Sequence, residues 1–178
     1  MTLYPLTAAL IITLTPAAAV AWQNGPVSHP VSSEARSASN KALQATLFDL
    51  IALRHAAHQE HWNVVGSDFY QLHEFYAELY QGLDAPIDTL AERMRVLGSP
   101  ADGRPSSVGR SSSVRAPAVA LRAQQETLQH LHKDFSDARD RLYEQIDETS
   151  DDPVTQDVLI GVARLLDTYT WQLRAHLG

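Results

Sequence analysis

Residues 61–93 read HWNVVGSDFYQLHEFYAELYQGLDAPIDTLAER, and the part that follows Gly66 decides the fold. Phe69, Leu72, Tyr76, Leu79, Leu83, Ile87, Leu90, Met94 and Leu97 recur at steps of three and four, which makes one apolar stripe along a long amphipathic helix. Such a stripe needs a core to face, so the chain must bring further helices against it. Pro86 lies inside the pattern, where it removes the bond to the Gly82 carbonyl. Gly82 absorbs a kink better than any other residue, and the stripe keeps its register on both sides. The spacing therefore predicts a bend and no break.

The polar residues of this stretch point elsewhere. At about 100° per residue, Asp88 and Glu92 lie well away from the stripe and His73 roughly 80° from its centre. Fifteen residues separate His73 from Asp88, about 22 Å along a helix that rises 1.5 Å per residue. Ligands to one metal ion sit within about 2.2 Å of it. One helix cannot bring these two together. A second copy, antiparallel about a two-fold axis near Tyr80 and Gln81, sets His73 of one subunit beside Asp88 of the other. Ala77, Ala85 and Ala91 lie on the same outward face and are small enough for close approach. The spacing suggests a metal site shared between subunits.

The motifs H-W-N-x-x-G at 61–66, L-H-E at 72–74 and D-x-x-A-E-R-x-x-x-L-G at 88–98 together resemble the Dps-type miniferritins, the DNA-protection-during-starvation branch of the ferritin-like family. The likeness runs from about Arg36 to Gly178 and includes D-x-x-T-x-D at 152–157 and W-x-L-R-A-H-L at 171–177. It implies an all-α, ferritin-like four-helix bundle with one long crossover connection that carries a short helix. It also implies a ferroxidase that oxidises Fe(II), preferentially with hydrogen peroxide, and stores Fe(III) mineral in a hollow shell of twelve subunits. In that pattern His61 and His73 of one subunit meet Asp88 and Glu92 of its two-fold mate, with up to two iron ions per site. Glu92 is the bridging ligand, and Trp62 lies close enough to give an electron to stray oxidants. A mixed nitrogen and oxygen set suits Fe(II), and the carboxylate charge favours Fe(III) once it forms. One departure stands out: the family has an acid four residues after the second histidine, and this chain has Ala77. The register that faces His73 with Asp88 also faces Ala77 with Asp84, so Asp84 is the expected replacement and Glu78 the lesser one.

Composition narrows the chemistry. The 178 residues favour one domain with a substantial core, expected over 34–178. With no cysteine, the available ligands are His, Asp and Glu. A net charge of -7 argues against an electrostatic grip on nucleic acid, and the one basic cluster, Arg104, Arg110 and Arg115, is diffuse. Residues 1–21 carry no charge and hold an apolar run at 6–14 followed by Ala-Val-Ala at 19–21. That resembles a secretory signal cleaved before Trp22, which makes the mature protein periplasmic or secreted with no membrane span. No Lys or Arg precedes the run, so the alternative is a retained extension on a cytoplasmic protein. A Ser- and Pro-rich leader follows over 22–33.

Helices are expected over 34–63, from a Ser67 or Asp68 cap to about 97, over 118–148 and over 153–177, with a loop at 98–117 and a short helix near 108–114. Core candidates are Leu43, Leu47, Leu50 and Ala57 in the first; Leu121, Leu128, Leu131, Phe135, Leu142 and Ile146 in the third; and Val158, Val162, Leu165, Tyr169 and Leu173 in the last. His61 falls on the first stripe, whereas His55 and His58 rotate away as surface residues. Glu144, Asp147, Glu148, Asp151, Asp152 and Asp157 crowd one corner. A solvated helix end accounts for such a cluster, and the sharper reading is an acidic funnel for cations. The family's three-fold pores use carboxylates in this region, so Asp147, Asp151 and Asp152 are the candidates for an iron inlet. Two other functions fit the same bundle: a cage that shields DNA, and a structural shell whose metal site is impaired by Ala77 and Pro86.

Overall fold

The computed structural model describes residues 29–115 and 118–178; the expected signal over 1–21 lies outside them. Ser32 opens the bundle by accepting a hydrogen bond from the Ala35 backbone at 3.1 Å, which caps α1 (Ser33–Asn63). The stripe Leu43, Leu47, Leu50 and Ala57 is buried as its periodicity requires. After α1 the chain forms a short strand β1 (Val64–Val65), turns at Gly66 and enters α2 (Phe69–Gly82).

The single bent helix expected here is instead two helices, interrupted for one residue at Leu83. α2 and α3 (Asp84–Val96) meet at the buried Leu83, and Ile87 N–H still donates to the Leu83 carbonyl at 3.1 Å. Packing as well as Pro86 accounts for the residue at the joint. A Cβ on Gly82 would lie 1.9 Å from the Tyr169 hydroxyl oxygen, so the last helix comes as close as it does only because position 82 has no side chain.

The crossover departs from expectation in two places. Its helix α4 (Pro105–Ser111) starts three residues before 108 because Pro105 fits a first helical turn. The third long helix α5 (Gln124–Glu148) starts six residues after 118. Before it, β2 (Arg122–Ala123) pairs in parallel with β1, Val64 opposite Arg122 and Val65 opposite Ala123. Leu121 therefore precedes the helix and is 74 % exposed, so it is no part of the core. Phe69 also leaves the stripe, 43 % exposed at the first residue of α2. The last helix α6 (Pro153–Leu177) holds its expected bounds, with Val162 and Leu173 buried and Val158, Leu165 and Tyr169 half-buried.

One hydrophobic cluster joins α1, α2, α3, α5 and α6 through side chains such as Leu50, Tyr76, Leu90, Phe135 and Leu159. Each fully buried Leu or Phe contributes about 1.5–3 kcal/mol of transfer free energy. Tyr76 is wholly buried, and its hydroxyl meets Thr127 Oγ1 at 2.7 Å, which ties α2 to α5. Burial pushes that phenol well above its ordinary range. No helix among the described residues is long and apolar enough to cross a membrane.

Candidate metal centre

α1 ends at Asn63, and the chain reverses through Gly66, whose φ of 140° suits glycine. A side chain from a distant helix fixes the angle of that reversal. Gln124 Oε1 accepts from Asp68 N–H at 3.2 Å, and Gln124 Nε2 donates to Asp68 Oδ2 at 2.8 Å. A Cβ at Gly66 would come within 2.7 Å of Gln124 Oε1. Asp68 stands at the N-cap position of α2 but makes no capping bond, because its carboxylate is used by Gln124.

The clamp sets the last turn of α1 against the first turn of α2, and there His61 and His73 meet. Their rings stack with centroids 3.6 Å apart and 19° between planes. His61 Nδ1 lies 2.6 Å from the His73 carbonyl oxygen, and His73 Nδ1 lies 2.9 Å from the His61 carbonyl oxygen. A carbonyl only accepts, so each Nδ1 must carry the proton. In its neutral form each imidazole is then held as the tautomer whose free lone pair is on Nε2, the arrangement found where histidine binds a metal.

The acids lie apart from this pair. Asp88 and Glu92 are exposed one turn from each other on α3, as their angle from the stripe requires. Among the described residues of one subunit, no group of three or more His, Asp and Glu side chains gathers closely enough to hold a metal ion. Asp84 is exposed and forms an ion pair with Arg54 of α1. Ala77 is half-buried and Glu78 exposed.

Trp62 is 61 % exposed beside His61. His58 is not the free surface residue that its helical angle suggests. Its ring stacks on Tyr80 with centroids 4.1 Å apart and packs against Trp62 at the same distance. Burial first, and then the charges of His61, Arg54 and His55, hold its imidazole below the ordinary range, with Asp84 opposing. Gln124, His58 and Tyr80 carried no signal in the local sequence, since each acts through a contact between separate segments.

Of the three acids considered for an inlet, Asp147 and Asp151 are exposed. Asp152 is 0 % exposed and presents nothing to solvent. It caps α6 by accepting from Thr155 N–H at 3.2 Å, takes the Ser39 hydroxyl at 3.0 Å and pairs with Arg93 of α3 at 2.9 Å. Burial works against its charge, but the bonds from Thr155 and Ser39 and the Arg93 guanidinium keep its carboxyl below the ordinary range. The basic cluster is weaker than its count of arginines, because Arg104 is paired with Asp102 at 2.7 Å.

Comparison with known proteins bears out the fold. Residues 40–178 match the ferritin-like domain family. The chain is similar to DNA protection during starvation protein 2 of Deinococcus radiodurans, 31 % identical over 140 residues, which is 78 % of this chain and 58 % of that one. It is 34 % identical over 126 residues to General stress protein 20U of Bacillus subtilis, covering 68 % of this chain and 84 % of that one. Among solved structures, Dps92 of Deinococcus radiodurans superposes with a TM-score of 0.78 at 30 % identity, over 80 % of this chain and 87 % of that one. Mycobacterium smegmatis Dps superposes with a TM-score of 0.80 at 28 % identity, over 84 % and 91 %. The chain thus spans little more than half the length of the Deinococcus starvation protein, but most of the others.

Proposed function

Because this chain belongs to the ferritin-like family, in the branch of the DNA-protection-during-starvation proteins, we propose that it is an iron-sequestering ferroxidase. Fe(II) is its substrate, hydrogen peroxide the oxidant, and Fe(III) mineral the product, stored in a hollow shell of twelve subunits that protects against oxidative stress. The observation that carries this reading is the reciprocal bonding of His61 and His73, each Nδ1 to the other's backbone carbonyl, which leaves the Nε2 lone pair of each half-buried ring for another partner. A histidine pair locked in this way is prepared for a metal ion. Asp88 and Glu92 of a two-fold related copy supply the oxygens, and their charge favours Fe(III) over Fe(II). Two Fe(II) ions then reduce one peroxide to two hydroxides, with no radical released.

Asp84 is the candidate acid for a second iron position left short by Ala77. In the free subunit it is held by Arg54, so iron has to compete with an exposed ion pair, a contact of about 0–1 kcal/mol. Asp84→Ala is expected to lower iron stoichiometry and slow oxidation, and Asp88→Ala to abolish both. Unchanged stoichiometry and rate in Asp84→Ala would remove Asp84 from the site. Asp147 and Asp151 are the remaining candidates for an acidic inlet, and the uncharged segment 1–21 favours export to the periplasm or beyond.

Fe(II) added anaerobically, followed by peroxide, tests the central reading. Ferric absorbance is expected to rise in the intact protein and to be absent from His61→Ala. No rise in the intact protein would leave a structural shell as the better description. The names of the relatives raise a DNA-shielding role; the charge of -7 and the pairing of Arg104 with Asp102 weigh against it, and a gel shift at low salt decides it.

A further inference from the structure

Three consecutive residues at the start of α5 touch both sides of the turn that carries the histidine pair. Arg122 Nε lies 3.4 Å from Oε1 of the buried Glu60, the residue before His61. Arg122 and Ala123 pair as β2 with Val64 and Val65, which follow directly on α1. Gln124 Oε1 accepts the Asp68 N–H at 3.2 Å and the Ser67 hydroxyl at 3.4 Å, and its Nε2 donates to Asp68 Oδ2. The segment thus grips the end of α1 and the entry to α2, the two helix turns between which His61 and His73 face each other.

Gln124 is itself anchored from inside the bundle. Its backbone carbonyl accepts the Thr127 hydroxyl at 2.8 Å, so the Tyr76 hydroxyl, 2.7 Å from the same Thr127 oxygen, must donate to it. Thr127 and Tyr76 are fully buried, and Tyr76 stands one turn after His73 on α2. The second helix is therefore tied to Gln124 twice, directly at Asp68 and through Thr127 beyond His73.

These ties bear on the imidazoles because the turn contains Gly66, about which α2 can swing. The bonds that cross from one helix to the other at the pair run from each Nδ1 to the opposite carbonyl, at 2.6 and 2.9 Å. Displacements of about 0.5 Å are enough to spoil a binding geometry. With those bonds lost, each neutral ring is free to rotate and to move its lone pair to Nδ1.

We propose that Gln124 is a positioning residue for the iron site. It supplies no ligand; it raises affinity for the metal by holding the α1–α2 turn where each imidazole keeps Nδ1 bonded and Nε2 available, with Arg122 supporting the same turn from the Glu60 side. The proposal rests on the ferroxidase reading of the histidine pair.

The test uses Co(II) alone as the probe, on the full-length assembled protein isolated by gel filtration. Titration reads affinity, and the visible absorption of the bound ion reads its ligand geometry. The parent is expected to bind Co(II) and His61→Ala to lose it. Gln124→Met keeps the length of the side chain without its amide, and binding should weaken by about tenfold, as when partners of metal-binding histidines are removed, with a changed spectrum. Gln124→Glu sets a second carboxylate against Asp68 and should weaken binding further. Adding Asp68→Asn to Gln124→Glu exchanges donor and acceptor, restores both bonds and should return affinity and spectrum to those of the parent. A role in folding alone would move the melting temperature and leave Co(II) affinity where it was. Parent-like affinity in Gln124→Met, or no recovery in the exchanged pair, overturns the positioning role alone. Failure of the parent to bind Co(II), or undiminished binding in His61→Ala, overturns the metal-site reading and the positioning role with it.

Discussion

Asp134 of α5 is buried, 7 % exposed, and one of its carboxylate oxygens has no hydrogen-bond partner. Burial pushes its carboxyl up to about 6, and Asp137 and Glu60 push the same way, against His130 and Lys133. The folded chain holds this proton more tightly than the unfolded chain, whose aspartates titrate near 3.8. Stability from this group is therefore full below the unfolded value and is lost as pH rises towards 6. Asp134→Asn is expected to raise the melting temperature above neutral pH, by relief of at most about 3 kcal/mol, and to change little near pH 3.5 (about the unfolded value). Thermal unfolding across that range checks it; a difference independent of pH would contradict it. At this scale the histidine pair was legible and its support was not. His61 and His73 show in the sequence by motif and spacing, because a helix fixes which residues share a face. Gln124, the residue that clamps the turn between them, is 58 positions beyond Gly66 in the chain and announces nothing locally.

The helices were legible wherever their periodicity was long. α1 and α6 fall within a residue of expectation, since a capping Ser or Asp and an unbroken stripe define both. The start of α5 was not, because two residues of β2 paired with two of β1 make no periodic pattern, yet they hold Arg122 and Ala123 out of the helix. The joint between α2 and α3 was half legible: Pro86 announces a bend, but only the packed structure reveals Tyr169 against Gly82. This gives a prediction with a definite sign. A Gly→Ala change inside a helix ordinarily stabilises it by up to about 1 kcal/mol. Gly82→Ala is instead expected to destabilise by about 1–3 kcal/mol, the usual cost of overpacking. Adding Tyr169→Phe removes the atom at 1.9 Å and should recover most of the loss in denaturant unfolding. If the double variant is no more stable than Gly82→Ala, Tyr169 is not the reason for the glycine.

The subunit as a whole keeps its imidazoles and its acids apart, the division that the proposed shared site requires. The imidazoles meet at the α1–α2 corner, the acids lie exposed on α3 beyond the bend, and no group of three or more possible metal ligands gathers among the described residues. That division was legible in the fifteen-residue gap between His73 and Asp88. Co-assembly tests it most directly. Subunits carrying His61→Ala and His73→Ala are mixed with subunits carrying Asp88→Ala and Glu92→Ala, dissociated and reassembled, and peroxide-driven Fe(II) oxidation is measured against each variant alone. If the site is shared across a two-fold axis, each variant alone is inactive, and random mixing restores about a quarter of the sites, one in each mixed pair. A mixture as inactive as its parts would contradict a shared site.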